Sequence, residues 1–153
     1  NFAQIKAWLR SQPRDLPFSE VWGDLCHLVR SETPLKSDEG HAFDVSFNTG
    51  DNEYYLSISD PRYDVPVLID YESLVDLWQQ LRAAGYLMKQ SFPSGLDKYA
   101  DYLIPILSKL DYVQSIRLHR TLPRTRVTKP QTALQFIPPL SEPAHFKVPV
   151  KIG

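Results

Sequence analysis

The stretch Phe43-Asp44-Val45-Ser46-Phe47-Asn48-Thr49-Gly50-Asp51-Asn52-Glu53-Tyr54-Tyr55-Leu56-Ser57-Ile58-Ser59 decides the fold class. Phe43, Val45 and Phe47 alternate with Asp44, Ser46 and Asn48, and Tyr54, Leu56 and Ile58 alternate with Tyr55, Ser57 and Ser59. A period of two puts apolar side chains on one face of an extended chain and polar ones on the other. Between the two runs, Asn48 to Asn52 are residues that favour turns and tolerate positive φ. The stretch therefore reads as an antiparallel hairpin with one apolar face. Asp60-Pro61-Arg62-Tyr63-Asp64 reads as the next turn. A third strand is expected over 65–70, with Pro66 suited to its first residues or to a sheet edge.

Helical periodicity brackets the hairpin. Upstream, Phe2, Ile5, Trp8 and Leu9 share one face of a segment ending near Arg10, before Pro13 and Pro17 interrupt it. Behind Ser19, a good N-cap, Val21, Trp22, Leu25, Leu28 and Val29 form a core-facing stripe. Residues 31–40 are polar, contain Pro34 and read as a loop. Downstream, Leu74, Leu77, Trp78, Leu81 and Ala84 form a second stripe, capped by Asp70 or Ser73 and closed by Gly85. Leu96, Tyr99, Ala100, Leu103, Ile104 and Leu107 mark a further helix, which Pro105 should kink or shorten. Strands are expected over Tyr112–His119 and Thr132–Ile137. The order α-α-β-β-β-α-α-β-β implies an α+β fold: an antiparallel sheet of about five strands with helices packed on one side. Residues 1–137 are expected to form a single domain, and 138–153, with Pro138, Pro139, Pro143 and Pro149, an extended C-terminal arm.

The chain has 153 residues, 17 of them basic and 18 acidic, for a net charge of −1. That total hides a split: residues 1–108 carry −7 and residues 109–153 carry +6. The split fits either an acidic body with a basic interaction arm or two halves that attract each other. No run approaches the roughly 18 apolar residues of a membrane span, and no leader peptide pattern opens the sequence, so no membrane partner is expected. A single cysteine, Cys26, excludes an internal disulfide framework. These bounds lead to the expectation of a cytoplasmic domain.

Catalytic motifs are absent. No G-x-x-x-x-G-K-[ST] cradle, G-x-G-x-x-G turn or G-x-S-x-G elbow occurs. Cys26 and His27 are neighbours, but successive helical side chains diverge by about 100° and do not face each other. Cys26 reads as a small core residue, and Asp24 with His27 as a structural pair on a polar helix face. Asp38, Glu39, His41 and Asp44 offer oxygen and nitrogen donors within seven residues, yet match no calcium-loop spacing, and a solvated loop accounts for them. Neither a metal nor another cofactor is expected. Asp44, Glu53, Asp60 and Asp70 flank the hairpin and third strand and would suit a metal-dependent hydrolase or nuclease. The hairpin lacks the lysine that a PD-(D/E)xK nuclease needs, because Glu53 is followed two positions on by Tyr55.

The sharpest feature is the basic stretch Arg117, His119, Arg120, Arg124, Arg126 and Lys129, which contains no acidic residue. As a long hairpin loop between the last two strands it resembles in outline a winged-helix wing, whose arginines track phosphates. The body charge of −7 opposes nucleic acid. Tyr54, Tyr55, Tyr63 and Tyr71 cluster around the hairpin, and alternation leaves Tyr55 and Tyr63 as the exposed candidates for a partner surface. The leading expectation is a small non-enzymatic interaction or regulatory protein. It would hold a protein partner or a second copy of itself through the hairpin face, with Tyr55 and Tyr63, and through the basic loop and arm. The alternative is a nucleic-acid-binding accessory domain using Arg117, Arg120, Arg124, Arg126 and Lys129; the third is the hydrolase or nuclease.

Overall fold

A computed structural model of the chain describes residues 4, 12–29, 35–50, 52–121 and 128–137, with side chains described at all of these except 29, 119–121, 128 and 129. In chain order the regular elements are α1 (Phe18–Val29), β1 (Leu35–Lys36), β2 (Ala42–Asn48), β3 (Tyr55–Ser59), β4 (Val67–Asp70) and α2 (Tyr71–Ala84). They continue with β5 (Tyr86–Met88), α3 (Ala100–Leu107), β6 (Val113–Thr121) and β7 (Thr128–Phe136). Single turns of 3-10 helix lie at Pro13–Asp15, Lys89–Ser91 and Asp97–Tyr99. The fold is α+β, and every strand pairing is antiparallel.

The hairpin forms as its alternation requires. Val45 pairs with Ile58 and Phe47 with Leu56, while Phe43, Leu56 and Ile58 turn their side chains into the core. Asn52 supplies the left-handed residue of the turn (φ 60°), and Asn48 Nδ2 donates to the Glu53 carbonyl at 2.9 Å. β4 joins β3 with Leu56 opposite Ile69 and Ser57 opposite Leu68. Ile69 is therefore buried and Leu68 exposed.

Where about five strands in one sheet were expected, the described residues form seven strands in two sheets, ordered β1-β2-β3-β4 and β5-β7-β6. The added strands are β1, inside the stretch read as loop, and β5, which follows α2 directly. With two and three residues respectively, neither is long enough to display a period. The last hairpin is also longer than expected: Arg120 pairs with Lys129 and Thr121 with Thr128, so the pairing runs past the expected strand ends at His119 and Thr132. Pro130 is accommodated because β5 borders β7 only at 133–135, which leaves one side of β7 open at the proline. The helix expected over 2–10, apart from Gln4, and the arm at 138–153 lie outside the described residues.

Both helix-end signals around α2 hold. Asp70 accepts from the Ser73 N–H, and Gly85, at φ 85°, returns its N–H to the Leu81 carbonyl at 2.7 Å. Pro105 is carried inside α3. Proline lacks the N–H that would bond four residues back, so the Asp101 carbonyl is released, and it accepts the Asp38 N–H at 3.0 Å. The residue expected to disturb a helix thus ties α3 to the loop between β1 and β2.

Helices α1, α2 and α3 and both described sheets contribute to one apolar core. Trp78 is 1% exposed at its centre. Its indole N–H donates to the Leu16 carbonyl at 3.0 Å, and its ring meets Tyr112 and Phe136 edge-on, at 6.3 and 5.4 Å between centroids. Cys26 packs half-buried against the same core. No helix among the described residues is long and apolar enough to cross a membrane. Trp78→Ala is expected to cost about 3–5 kcal/mol of stability. Trp78→Phe should cost less but leave the Leu16 carbonyl without its donor, a loss of about 1–3 kcal/mol. Denaturant unfolding of both variants checks the ranking.

Candidate functional site

A densely hydrogen-bonded surface feature is the turn that leads from β3 into β4. Asp60 accepts the Arg62 backbone N–H at 2.9 Å, and the Tyr63 N–H bonds to the Asp60 carbonyl at 2.9 Å, which closes the turn in the manner of an Asx motif. The Arg62 guanidinium reaches back to the same carboxylate, with Nε 3.1 Å from Oδ1 and Nη2 2.7 Å from Oδ2. From α3, the Tyr102 hydroxyl donates to Oδ2 at 2.6 Å. Asp60, only 6% exposed, is thus held by a bidentate cation, a phenol and an amide. Hydrogen bonds from Arg62 and then Tyr102 hold its carboxyl well below the usual range, against the opposing effect of burial. Burial, followed by the bond to Asp60, pushes the Tyr102 phenol up to about 12.

This lock fixes what projects outward. Arg62 lies over the Tyr63 ring, 5.2 Å from its centroid, and Tyr63 is 62% exposed. Val65 follows at 76% and Leu68, on β4, at 61%. β4 is the last strand of its sheet, so one of its edges carries no partner strand among the described residues. An arginine, a tyrosine and two aliphatic side chains therefore stand beside an open sheet edge.

The other tyrosines differ from expectation in two respects. Tyr55, expected to be exposed, is only half-exposed in β3, opposite Asn48 and Asp70. Tyr54, expected to face inward, is 48% exposed, although its ring still meets Trp22 edge-on with centroids 6.4 Å apart. Its position just ahead of β3, at the end of the sheet, leaves one side of the ring uncovered.

The carboxylates considered for hydrolysis do not converge. Asp44 is exposed on β2, Glu53 is exposed in the hairpin turn, Asp60 is engaged by Arg62 and Tyr102, and Asp70 caps α2. Among the described residues no three His, Cys, Asp or Glu side chains form a group able to hold a metal ion.

Of the basic candidates, Arg117 is exposed on β6; burial raises the Asp38 pKa, but hydrogen bonds from Lys89 and Thr132, with the charges of Lys89 and lastly Arg117, outweigh it and lower the net value. Arg120 and Lys129 are opposed in register near the end of the last hairpin. Their side chains, and the whole of Arg124 and Arg126, lie outside the described residues.

Two further polar groupings were not legible in the sequence. Lys89 Nζ lies 2.6 Å from Asp38 Oδ2 and also bonds Asp101, while the Thr132 hydroxyl donates to Asp38 at 3.0 Å. Burial lowers the Lys89 pKa, but the bonds to Asp101 and Asp38 outweigh it and raise the net value. This cluster joins the loop before β2 to α3 and to the second sheet, which suits a structural seam. Separately, Asp24, His27, Leu28, Asp111 and Tyr112 line a shallow cleft of about 230 Å³, across which Tyr112 donates to Asp24 at 2.8 Å. These partners lie 12 to 94 residues apart in sequence, beyond any local pattern.

Because the Asp60 pKa is depressed, its contribution to stability is complete above the ordinary carboxylate value of about 4 and is lost as pH falls below that value toward the folded-state pKa. Wild type should therefore lose thermal stability faster than Asp60→Asn between about pH 4 and pH 2, so that the gap between them narrows. Melting curves across that range check it. In a ring-carbon NMR titration, the Tyr102 phenol should ionise near 12, and Asp60→Asn should move it back toward 10.

No family model, curated protein or solved structure matches the chain.

Proposed function

We propose that the chain is a non-enzymatic interaction module that binds a partner protein in extended form along the open edge of β4. The observation that carries this reading is the locked turn: Asp60, Arg62 and Tyr102 hold Tyr63 and Val65 exposed next to Leu68. A turn ordered in the free state loses little entropy on binding, and Tyr and Arg are the side chains that most often dominate interface energy. Edge strands accept an added strand through backbone hydrogen bonds, with alternate side chains setting specificity. One partly buried cysteine and no internal disulfide fit a reducing, cytoplasmic setting.

The test compares wild type, Tyr63→Ala and Leu68→Lys in affinity capture. Any protein lost from both variants is then purified and titrated against all three. Dissociation constants should rise at least tenfold, about 1.4 kcal/mol, while melting temperatures stay close to wild type because the sites are exposed. Equal binding by all three would overturn the reading.

A second reading is favoured by the register of the last hairpin, where Arg120 stands opposite Lys129 with Arg124 and Arg126 between them in sequence. In that reading the hairpin tip grips nucleic-acid phosphates. Binding to a labelled 20-base-pair duplex should then weaken steeply between 50 and 200 mM salt, by about 40- to 500-fold for three to five phosphate contacts, and should vanish in Arg120→Ala/Arg124→Ala/Arg126→Ala.

A further inference from the structure

We infer that the open edge of β4 selects an extended segment of a partner protein in which an apolar residue is flanked, two positions away on each side, by lysine or arginine. The inference rests on the reading of that edge as a docking surface and adds the chemistry of the occupant. Three observations carry it.

The first is which backbone groups the edge offers. The Tyr71 N–H donates to the Tyr54 carbonyl at 2.9 Å, and the same register sets Ile69 opposite Leu56 and Val67 opposite Ile58. In an antiparallel ladder, pairs that exchange hydrogen bonds alternate with pairs that do not. Val67, Ile69 and Tyr71 therefore turn their backbone groups toward β3, while Pro66, Leu68 and Asp70 turn theirs to the open side. Pro66 has no N–H to offer, and the Asp70 carbonyl, at the N-cap of α2, is taken up by the helix. What remains is the Pro66 carbonyl, both groups of Leu68 and the Asp70 N–H. These match a segment of about five residues centred on Leu68.

The second is which side chains stand beside those groups. Residues opposite each other in a ladder share a face, so the central side chain of the segment lies beside Leu68, which is 61% exposed. An apolar residue there removes Leu68 from water. The side chains two positions away lie on the same face, beside Asp70 and Pro66. The third is charge. Asp70 remains exposed although it accepts the Ser73 N–H at 3.3 Å, Glu72 is exposed just after it, and Asp64 is exposed two residues before Pro66. Among the described residues neither Asp64 nor Glu72 forms a salt bridge, whereas Arg62 is already held by Asp60. Cations at both flanking positions of the segment complement these carboxylates, and the pattern reads the same whether the segment runs parallel or antiparallel to β4. A second copy fits poorly, because pairing β4 with itself about a two-fold axis sets the carboxylates of each copy against those of the other.

The experiment uses the full chain and three blocked, fluorescein-labelled nonapeptides. The first carries lysine-threonine-valine-threonine-lysine at its centre. The second has glutamate in place of both lysines. The third repeats the first with the valine and the following threonine N-methylated, which removes a ladder donor in either strand direction. Fluorescence anisotropy gives the affinities, and amide NMR shifts locate the binding. At least tenfold tighter binding of the first peptide than of the other two, with the Leu68 and Asp70 amides shifting, supports the inference. In Asp64→Asn/Asp70→Asn/Glu72→Gln the preference for lysine over glutamate should fall below threefold, with the α2 cap kept because asparagine also caps. An unchanged preference in that variant overturns the inference. So does equal affinity for the lysine and glutamate peptides, or no binding of the lysine peptide to wild type. Undiminished binding of the N-methylated peptide overturns it as well, since contact is then adsorption on charge without strand addition. A dimer in solution that Leu68→Lys dissociates overturns it and gives the edge to a second copy. If the peptides fail while Leu68→Lys still loses the purified partner, the reading of β4 as a docking surface survives with an occupant of different chemistry.

Discussion

The indole of Trp78 is the constraint on which the rest of the structure depends. Its N–H pulls the Leu16 carbonyl into the core, which places the segment entering α1, and its ring edge packs against Phe136 at the end of β7. A buried indole without an acceptor is costly, so chain entry, α2 and the second sheet are positioned together or not at all. Around it runs a relay of edge-to-face rings. Phe18 meets Tyr71, Tyr71 meets Trp22, and Trp22 meets Phe47 at the far end of the hairpin. Aromatic geometry thus connects sheets that share no strand.

On the opposite flank of the core the connection is polar. The Asp101 carbonyl released by Pro105, the Lys89 ammonium between Asp38 and Asp101, and the Tyr102 hydroxyl on Asp60 all converge on the first turns of α3. One short helix therefore braces the loop before β2, the turn after β3 and the start of the second sheet. The Asp60 lock is the part of this brace with an outward result, since it determines where Tyr63 and Val65 stand.

The elements legible in the sequence are those in which the physics is local. The alternation of 43–59 and the stripe Leu74, Leu77, Trp78, Leu81 specify faces without knowledge of anything distant, and Asp70 and Gly85 punctuate α2 by their own chemistry. β1 and β5 were not legible because they exist only through their partners: Leu35 pairs with Phe43, and Leu87 with Leu134. The candidate surface was half legible. Tyr63 stood out as an aromatic in a turn, but the lock needs Tyr102, 42 residues beyond Asp60. Only the Asp60-Pro61-Arg62 spacing, with an Asx acceptor two residues before an arginine, hinted at the turn from within.

The two sheets close at different moments of the chain's history. β2, β3 and β4 are neighbours in both sequence and space, so the first sheet is complete once residue 70 is available. β5 cannot pair until β7 exists, and Leu87 meets Leu134 across an interval of more than forty residues. During synthesis from the N-terminus, the first sheet and α2 therefore come together while β5 still exposes an unpaired strand and the aromatic core around Trp78 still lacks Phe136. Closure of the second sheet therefore waits on the last hairpin, and until that hairpin is in place β5 presents backbone groups without their partner strand.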